Sequence, residues 1–410
     1  MSTVDVFMDR GGHTTRVGQA HFTRTRDQLS TTFLYDTDWL ADGGISIDPE
    51  LPLVSGAQHQ RGLIRAFSDG APDRWGRGII TKAERSRARE EGRAPRRLDD
   101  LDFLLEVSDD TRQGALRYQV PGGTAFLGAP SRVPRLISLP ELLRASDELS
   151  STDDPTPAVK QLLGTGTTGL GGARPKASVL LEDGSLAMAK FPHGSDEWDV
   201  MAWEATTLDL LEFAGINVPQ HRLTRVGESS VLILRRFDRD DAGRRIGYIS
   251  AMTATGSTDG ERRDYADLAE SIRDLSLSPR KDHHELFDRV VASVALGNTD
   301  DHLRNHGLLE TRGSWELSPA FDVNPSPDRW RARSTSIMGA DDPQDEVEGL
   351  IALAEECSLT PGQARERMAR VGNAVVPWRD RARSHRIPET QISMMAESIE
   401  PRLESVLQAT

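Results

Sequence analysis

A single cysteine, Cys357, stands in 410 residues, so no internal disulfide forms and the clustered Cys/His spacing of a zinc site is missing. Such a lone thiol is expected in the core. Nor does any uninterrupted apolar run approach the roughly 20 residues needed to cross a bilayer. The opening MSTVDVFMDRGG lacks the basic stretch and apolar stretch of an export signal, so a cytoplasmic chain with no membrane partner is expected. Positive charge is in deficit. Lys and Arg number 50 against 64 Asp and Glu, and a net charge of −14 repels a polyanion, which argues against general nucleic-acid binding. The local exception is residues 77–97, RGIITKAERSRAREEGRAPRR, with eight basic residues against three glutamates, a pattern shared by solvated helices and basic faces.

Organisation changes along the chain. Residues 1–122 mix short β-like pieces (VDVFM, GQAHFT, GALRYQV) with an Arg-rich helical middle. The Pro/Gly-rich passage that follows, with the short helix ELLRASDEL and then SSTDDPTP, is expected to be a linker over 123–159. Over 160–237 the pattern is that of hairpins. ASVLLEDGSLAMAKFP has Asp183-Gly184 at its turn, and HRLTRVGESSVLILRRFD has Gly227. Between them EWDVMAWEATTLDLLEFAG places Val200, Trp203, Thr207, Leu208 and Leu211 at helical spacing, with Gly215 to end the helix. From 238 to 410, and after 260 almost throughout, the pattern is helical.

LLGTGTTGLGGARPKASVLL carries five glycines within residues 164–172. Gly164-x-Gly166-x-x-Gly169 matches a dinucleotide fingerprint, but that motif needs a strand before it and a helix after it, and the flanks here are the reverse. No Gly-Lys-Ser/Thr follows, which excludes a Walker A loop. What remains is a glycine loop over nucleotide phosphates at a sheet edge, or a plain surface loop. The first use calls for a strand lysine and a glutamate on the next helix; Lys190 in LAMAKFP and Glu204 in AWEATTLDLL have those places.

Residues 290–310, VVASVALGNTDDHLRNHGLLE, begin as a helix and end as a strand, with Asn298, Asp300, Asp301, His302, Arg304, Asn305 and His306 crowded between. A kinase catalytic loop sets an aspartate base five residues before a metal-binding asparagine, the spacing of Asp300 and Asn305. A second metal-binding aspartate is expected downstream, and LSPAFDVNPSP supplies Asp322, 17 residues after Asn305. Asparagine and aspartate offer the oxygen donors that Mg²⁺ prefers. His302 and His306 have the i, i+4 spacing of a zinc pair, but no third ligand is evident and a loop does not hold one face. Each motif is weak alone; their order is what a nucleotide-dependent phosphotransferase requires.

These segments also resemble the HipA-like serine/threonine kinases, the toxins of bacterial toxin–antitoxin pairs. SDGAPDRWGRGII and DDLDFLLEVSDDTRQGALRY are similar to that family's first subdomain. GGARPKASV, AMAKFP, GINVPQHRL, LILRRFDR, GNTDDHLRNHGLL and LSPAFDVNP follow in family order. The resemblance implies an α+β, two-lobed protein-kinase-like fold: a β-rich N-terminal lobe with an extra N-terminal subdomain, and an all-helical C-terminal lobe. It implies ATP and Mg²⁺ as cofactors, a protein Ser/Thr acceptor, and a DNA-binding, HipB-like antitoxin through which DNA is met only indirectly. Asp300 then resembles the base, Lys190 the phosphate-binding lysine with Glu204 behind it, and Asn305 and Asp322 the metal ligands. Gly169, Gly171, Gly172, Ala173, Lys176, His302 and the strand at Leu232 and Leu234 are the remaining nucleotide contacts implied, with Arg174 beside Lys176 near the γ-phosphate. One departure stands out: Gly169 occupies the place where the family commonly carries an autophosphorylated serine. A small-molecule phosphotransferase and a non-catalytic corepressor are the alternatives.

Overall fold

Val4, Val6 and Met8 are buried at every second position, the period that turns side chains to one side of a strand. They belong to β1 (Thr3–Arg10), which pairs antiparallel with β2 (His13–Thr25). With β3 (Gln28–Tyr35), β4 (Gln58–Arg61) and β5 (Leu116–Gln119) these make a five-stranded sheet of order β4-β3-β2-β1-β5. The computed structural model describes residues 3–25, 28–151, 156–166, 174–258 and 260–410. Its packing forms two units, Met1–Ser195 with Ile233–Ile249, and Asp196–Leu232 with Ser250–Thr410.

In the first unit the sheet carries an aromatic core in which Phe33, Phe67 and Tyr118 meet edge to face, an arrangement favoured by ring quadrupoles. The helix Arg74–Glu90 starts at Asp73, whose carboxylate accepts the Gly76 N–H at 2.6 Å. Its basic stretch is laced into ion pairs. Arg87 meets Glu106 at 3.1 Å, Arg77 meets Asp100 at 2.6 Å, and Arg93 and Arg96 converge on the buried Glu84. From residue 139 onward, the stretch read as a linker over 123–159 is largely helical. Helices Leu139–Ser151 and Thr156–Gly164 bury Ala145, Leu149, Ala158, Val159 and Leu162 against Ile79 and Ala83. The apolar residues at helical spacing outweigh the flanking prolines and glycines. Beyond them β6 (Lys176–Leu180) and β7 (Leu186–Lys190) form the anticipated antiparallel hairpin, and Gly184 at φ 83° supplies the turn's left-handed residue.

In the second unit, helix Val200–Phe213 begins at Asp199, which accepts the Ala202 N–H at 3.0 Å. β8 (His221–Val226) and β9 (Ser229–Arg235) follow as the second hairpin, with β9 in this unit as far as Leu232. The helix Pro279–Ala295 is buried along most of its length. Around it the helices Tyr265–Leu275, Glu346–Glu356, Pro361–Val375 and Glu389–Gln408 share one apolar core. Cys357 lies in that core as anticipated, and burial pushes its thiol up to about 12. The unit is mostly, not wholly, helical. β10 (Tyr248–Ser250) belongs to this unit only at Ser250, and β11 (Arg263–Asp264), β12 (Gly307–Thr311), β13 (Ser314–Leu317) and β14 (Thr335–Ser336) interrupt the helices. β12 and β13 form a hairpin whose turn residues Arg312 and Gly313 both take positive φ, which matches the twist of paired strands. Among the described residues no helix is long and apolar enough to cross a membrane.

Candidate active site

Helix Pro279–Ala295 is closed by Gly297 at φ 67°, where an added Cβ would stand 2.7 Å from Ser398 Oγ, and β12 opens at Gly307. The polar loop 298–306 is therefore pinned at both ends. Within it residues 303–305 wind into one 3₁₀ turn that brings Asn305 back over Asp300. The Asn305 amide nitrogen donates at 3.4 Å to the backbone carbonyl of Asp300 and at 3.4 Å to that of Asp322. One side chain thus gathers the three residues assigned as base and metal ligands. Asp322 sits at φ 58°, a left-handed position that aspartate tolerates better than most residues and that recurs at functional sites.

Asp300 and Asp301 point to opposite environments. The Asp300 side chain is 60% exposed and meets Arg331 at 3.1 Å and the Ser334 hydroxyl at 3.3 Å. Asp301 is buried; it accepts from the Tyr265 hydroxyl at 2.5 Å and from His306 Nε2 at 2.9 Å. Burial alone would raise the Asp301 carboxyl, but the His306 ring, the Tyr265 hydroxyl and Arg333 outweigh it and hold the group well below the usual carboxylate range. Arg333 extends this buried lattice. It donates to Ser293 Oγ at 2.6 Å and to Glu346 at 2.9 Å, and Arg402 meets Glu346 from the other side at 3.0 Å. The network fixes the loop from behind, leaving Asp300 at its solvent edge.

The two histidines do not form a zinc pair. His302 is exposed, whereas His306 is buried against Asp301 with its ring edge-on to Tyr265. Among the described residues, the ligand atoms close enough to share a cation belong to Asp209, Glu212 and His221, elsewhere in this unit. There His221 and His385 both hydrogen-bond the Asp209 carboxylate, at 2.9 and 2.7 Å. No motif in the sequence marks that cluster, because its members come from a helix, a strand and the far C-terminal region.

The other assigned residues divide between the units. Glu204 lies buried in the middle of helix Val200–Phe213. In the first unit Lys190 ends β7 directly opposite Lys176 on β6, so the two side chains leave the same face of the hairpin. Both are nearly inaccessible, at 5% and 1%. Lys176, implied as a nucleotide contact by the resemblance, has its ammonium paired with Asp73, the cap of helix Arg74–Glu90. A buried ammonium needs such a partner. Leu232 and Leu234 are buried on β9. Gly164 and Gly166 close helix Thr156–Gly164, and the Gly166 carbonyl accepts from Thr111 Oγ1 at 2.6 Å. Gly169, Gly171, Gly172 and Ala173 lie outside the described residues.

The strand-and-helix composition and the loop that sets Asp300, Asn305 and Asp322 together define an α+β, two-lobed kinase-like protein. The HipA-like C-terminal domain matches residues 168–378 and the HipA N-terminal domain matches residues 5–119. The chain belongs to the HipA-like family. Its fold is similar to HipA from the Shewanella oneidensis MR-1 toxin–antitoxin complex of HipA, HipB and operator DNA. The TM-score is 0.65 at 15% identity, over 99% of this chain and 96% of that one. The Helicobacter pylori proinflammatory kinase CtkA is more distant, with a TM-score of 0.41 at 16% identity over 58% of this chain and 92% of that one. A Haemophilus influenzae protein named as a putative kinase is 24% identical over 188 residues, 39% of this chain. The chain spans about half, 54%, of that curated relative's length.

Proposed function

We propose that the chain is an ATP- and Mg²⁺-dependent serine/threonine protein kinase, a cytoplasmic HipA-like toxin held in check by a DNA-binding, HipB-like antitoxin. The observation that carries this reading is the Asn305 amide joined to the backbones of Asp300 and Asp322, with the Asp300 carboxylate left exposed beside it. The donor set fits the proposed metal. Asn305 turns its N–H end to those two carbonyls, and its amide oxygen and the Asp322 carboxylate are hard donors of the kind Mg²⁺ takes. Bound Mg-ATP would supply the phosphoryl group and offset its charge.

Asp300 accepts the proton of the attacking hydroxyl, and the buried lattice behind Asp301 keeps that carboxylate in place. Such a site acts mainly through positioning and charge. Phosphate binding by Lys190, orientation of Lys190 by Glu204, and nucleotide contacts at Gly169, Gly171, Gly172, Ala173, Leu232, Leu234 and His302 are carried as assignments from the sequence. The target is expected to be a translation-related protein such as an aminoacyl-tRNA synthetase. The Shewanella complex, which holds HipB and operator DNA, supports an antitoxin partner and indirect contact with DNA.

The test is transfer of label from γ-phosphate-labelled ATP to cellular proteins and, separately, to small acceptors. Label is expected on protein Ser or Thr; label confined to small molecules would point to a small-molecule phosphotransferase instead. Growth arrest should accompany transfer and vanish when the antitoxin is co-expressed.

A further inference from the structure

Thr207, Arg289, Asn298 and His306 are 2%, 4%, 2% and 4% exposed, and each holds one polar atom with no protein partner: Oγ1, Nη1, Nδ2 and Nδ1 respectively. They come from helix Val200–Phe213, helix Pro279–Ala295 and the two ends of the polar loop. Yet all four line one cavity of about 20 Å³, which also touches Asp301 and Asn305. A buried polar atom without a partner is costly, so four around one small space point to an occupant.

The occupant's chemistry follows from size, charge and hydrogen-bond count. A water needs about 10–15 Å³ of such space, so the cavity admits one. An anion is disfavoured because Arg289 is already matched by Glu285 at 2.9 Å and the Asp301 carboxylate also lines the cavity. A cation is disfavoured by Arg289 itself. Arg289 Nη1 and Asn298 Nδ2 can only donate. His306 turns Nε2–H to Asp301, so in the tautomer that carries this one proton Nδ1 accepts, and the Thr207 hydroxyl can accept as well. Two donors and two acceptors are the complement of a water molecule.

We infer that this cavity holds one ordered water that ties helix Val200–Phe213 to both ends of the catalytic loop, at Asn298 and His306. Thr207 lies one turn beyond Glu204 on that helix, so it becomes a positioning residue that couples the helix to the loop bearing Asp300 and Asn305. The water rests on geometry alone; its meaning for catalysis rests on the kinase reading.

Crystals of the full chain, wild type and the variants Thr207→Ser and Thr207→Val, test it at a resolution that shows ordered solvent. Wild type and Thr207→Ser should each show a single water within hydrogen-bond reach, roughly 2.7–3.2 Å, of the four atoms. Hydrogen exchange of the amides at 298–306 should quicken about 2- to 10-fold in Thr207→Val, the net worth of one hydrogen bond, and return to the wild-type rate in Thr207→Ser. An empty wild-type cavity, side chains turned to satisfy one another, or equal exchange in Thr207→Val overturns the inference. Should Thr207→Val fail to fold, the wild-type and Thr207→Ser density decides. None of these readouts depends on phosphate transfer, so failure of the kinase reading would leave them standing.

Discussion

Asp238 in the first unit and Asp301 in the second are both carboxylates sealed against cationic or polar partners, and they serve different ends. Asp238 takes Arg236 at 2.7 Å, Arg239 at 2.9 Å and the Gly114 N–H at 2.8 Å, while Arg236 and Arg239 reach on to the carbonyls of Thr111 and Arg112. Together these bonds join residues 111–114 to 236–239. Asp301 takes His306 and Tyr265 in a similar way, but its neighbour Asp300 emerges at the surface with only exposed partners. Buried charge by itself therefore does not mark a reactive site. What marks one is an accessible group whose backbone is fixed by a buried network immediately behind it.

The comparison breaks first under substitution of the buried members. Asp238→Ala strands two buried arginines and is expected to cost about 3–5 kcal/mol in urea unfolding. Tyr265→Phe removes one hydrogen bond to a charged carboxylate and is expected to cost about 1.5–3 kcal/mol, with a fall in transfer rate as the loop loosens. Acid separates the regions further. Burial raises the Asp238 carboxyl, but Arg236 and Arg239 more than offset it, so its folded value is depressed. Its stabilisation is then complete above the unfolded value near 3.9 and is lost as pH falls from about 5 downward. Asp238→Asn should show a flatter fall in melting temperature over that window than wild type; parallel curves would contradict the assignment. Arg331→Ala, which removes an exposed partner of Asp300, should change stability by no more than about 1 kcal/mol.

Much of the second unit was legible in order and in kind. The apolar run before Gly297, the Asp300–Asn305 spacing and the strand that follows all read directly from residues 290–310, because helix period, glycine and alternation are local signals. The Asp183-Gly184 turn was equally plain. The role of Asp301 is not legible locally, since Tyr265 and Arg333 lie more than thirty residues away on either side and leave no local trace. The ion pair of Lys176 is hidden for the same reason: Asp73, its partner, is 103 residues distant. The β12–β13 hairpin had a signal in Arg312-Gly313 between GLLET and SWEL, but it was read as one strand within a helical region. Within 139–164 helical spacing competes with turn residues, and tertiary packing on Ile79 and Ala83 favours helix there.

The most direct test sets the two adjacent aspartates against each other, measuring phosphate transfer and melting temperature for Asp300→Asn and Asp301→Asn. Asp300→Asn should lose about 10²- to 10⁴-fold in transfer, the scale of a general base, with a melting temperature equal to wild type. Asp301→Asn should melt well below wild type. Transfer undiminished in Asp300→Asn, or a melting temperature unchanged in Asp301→Asn, would contradict the division between an exposed reactive carboxylate and the buried one that holds it.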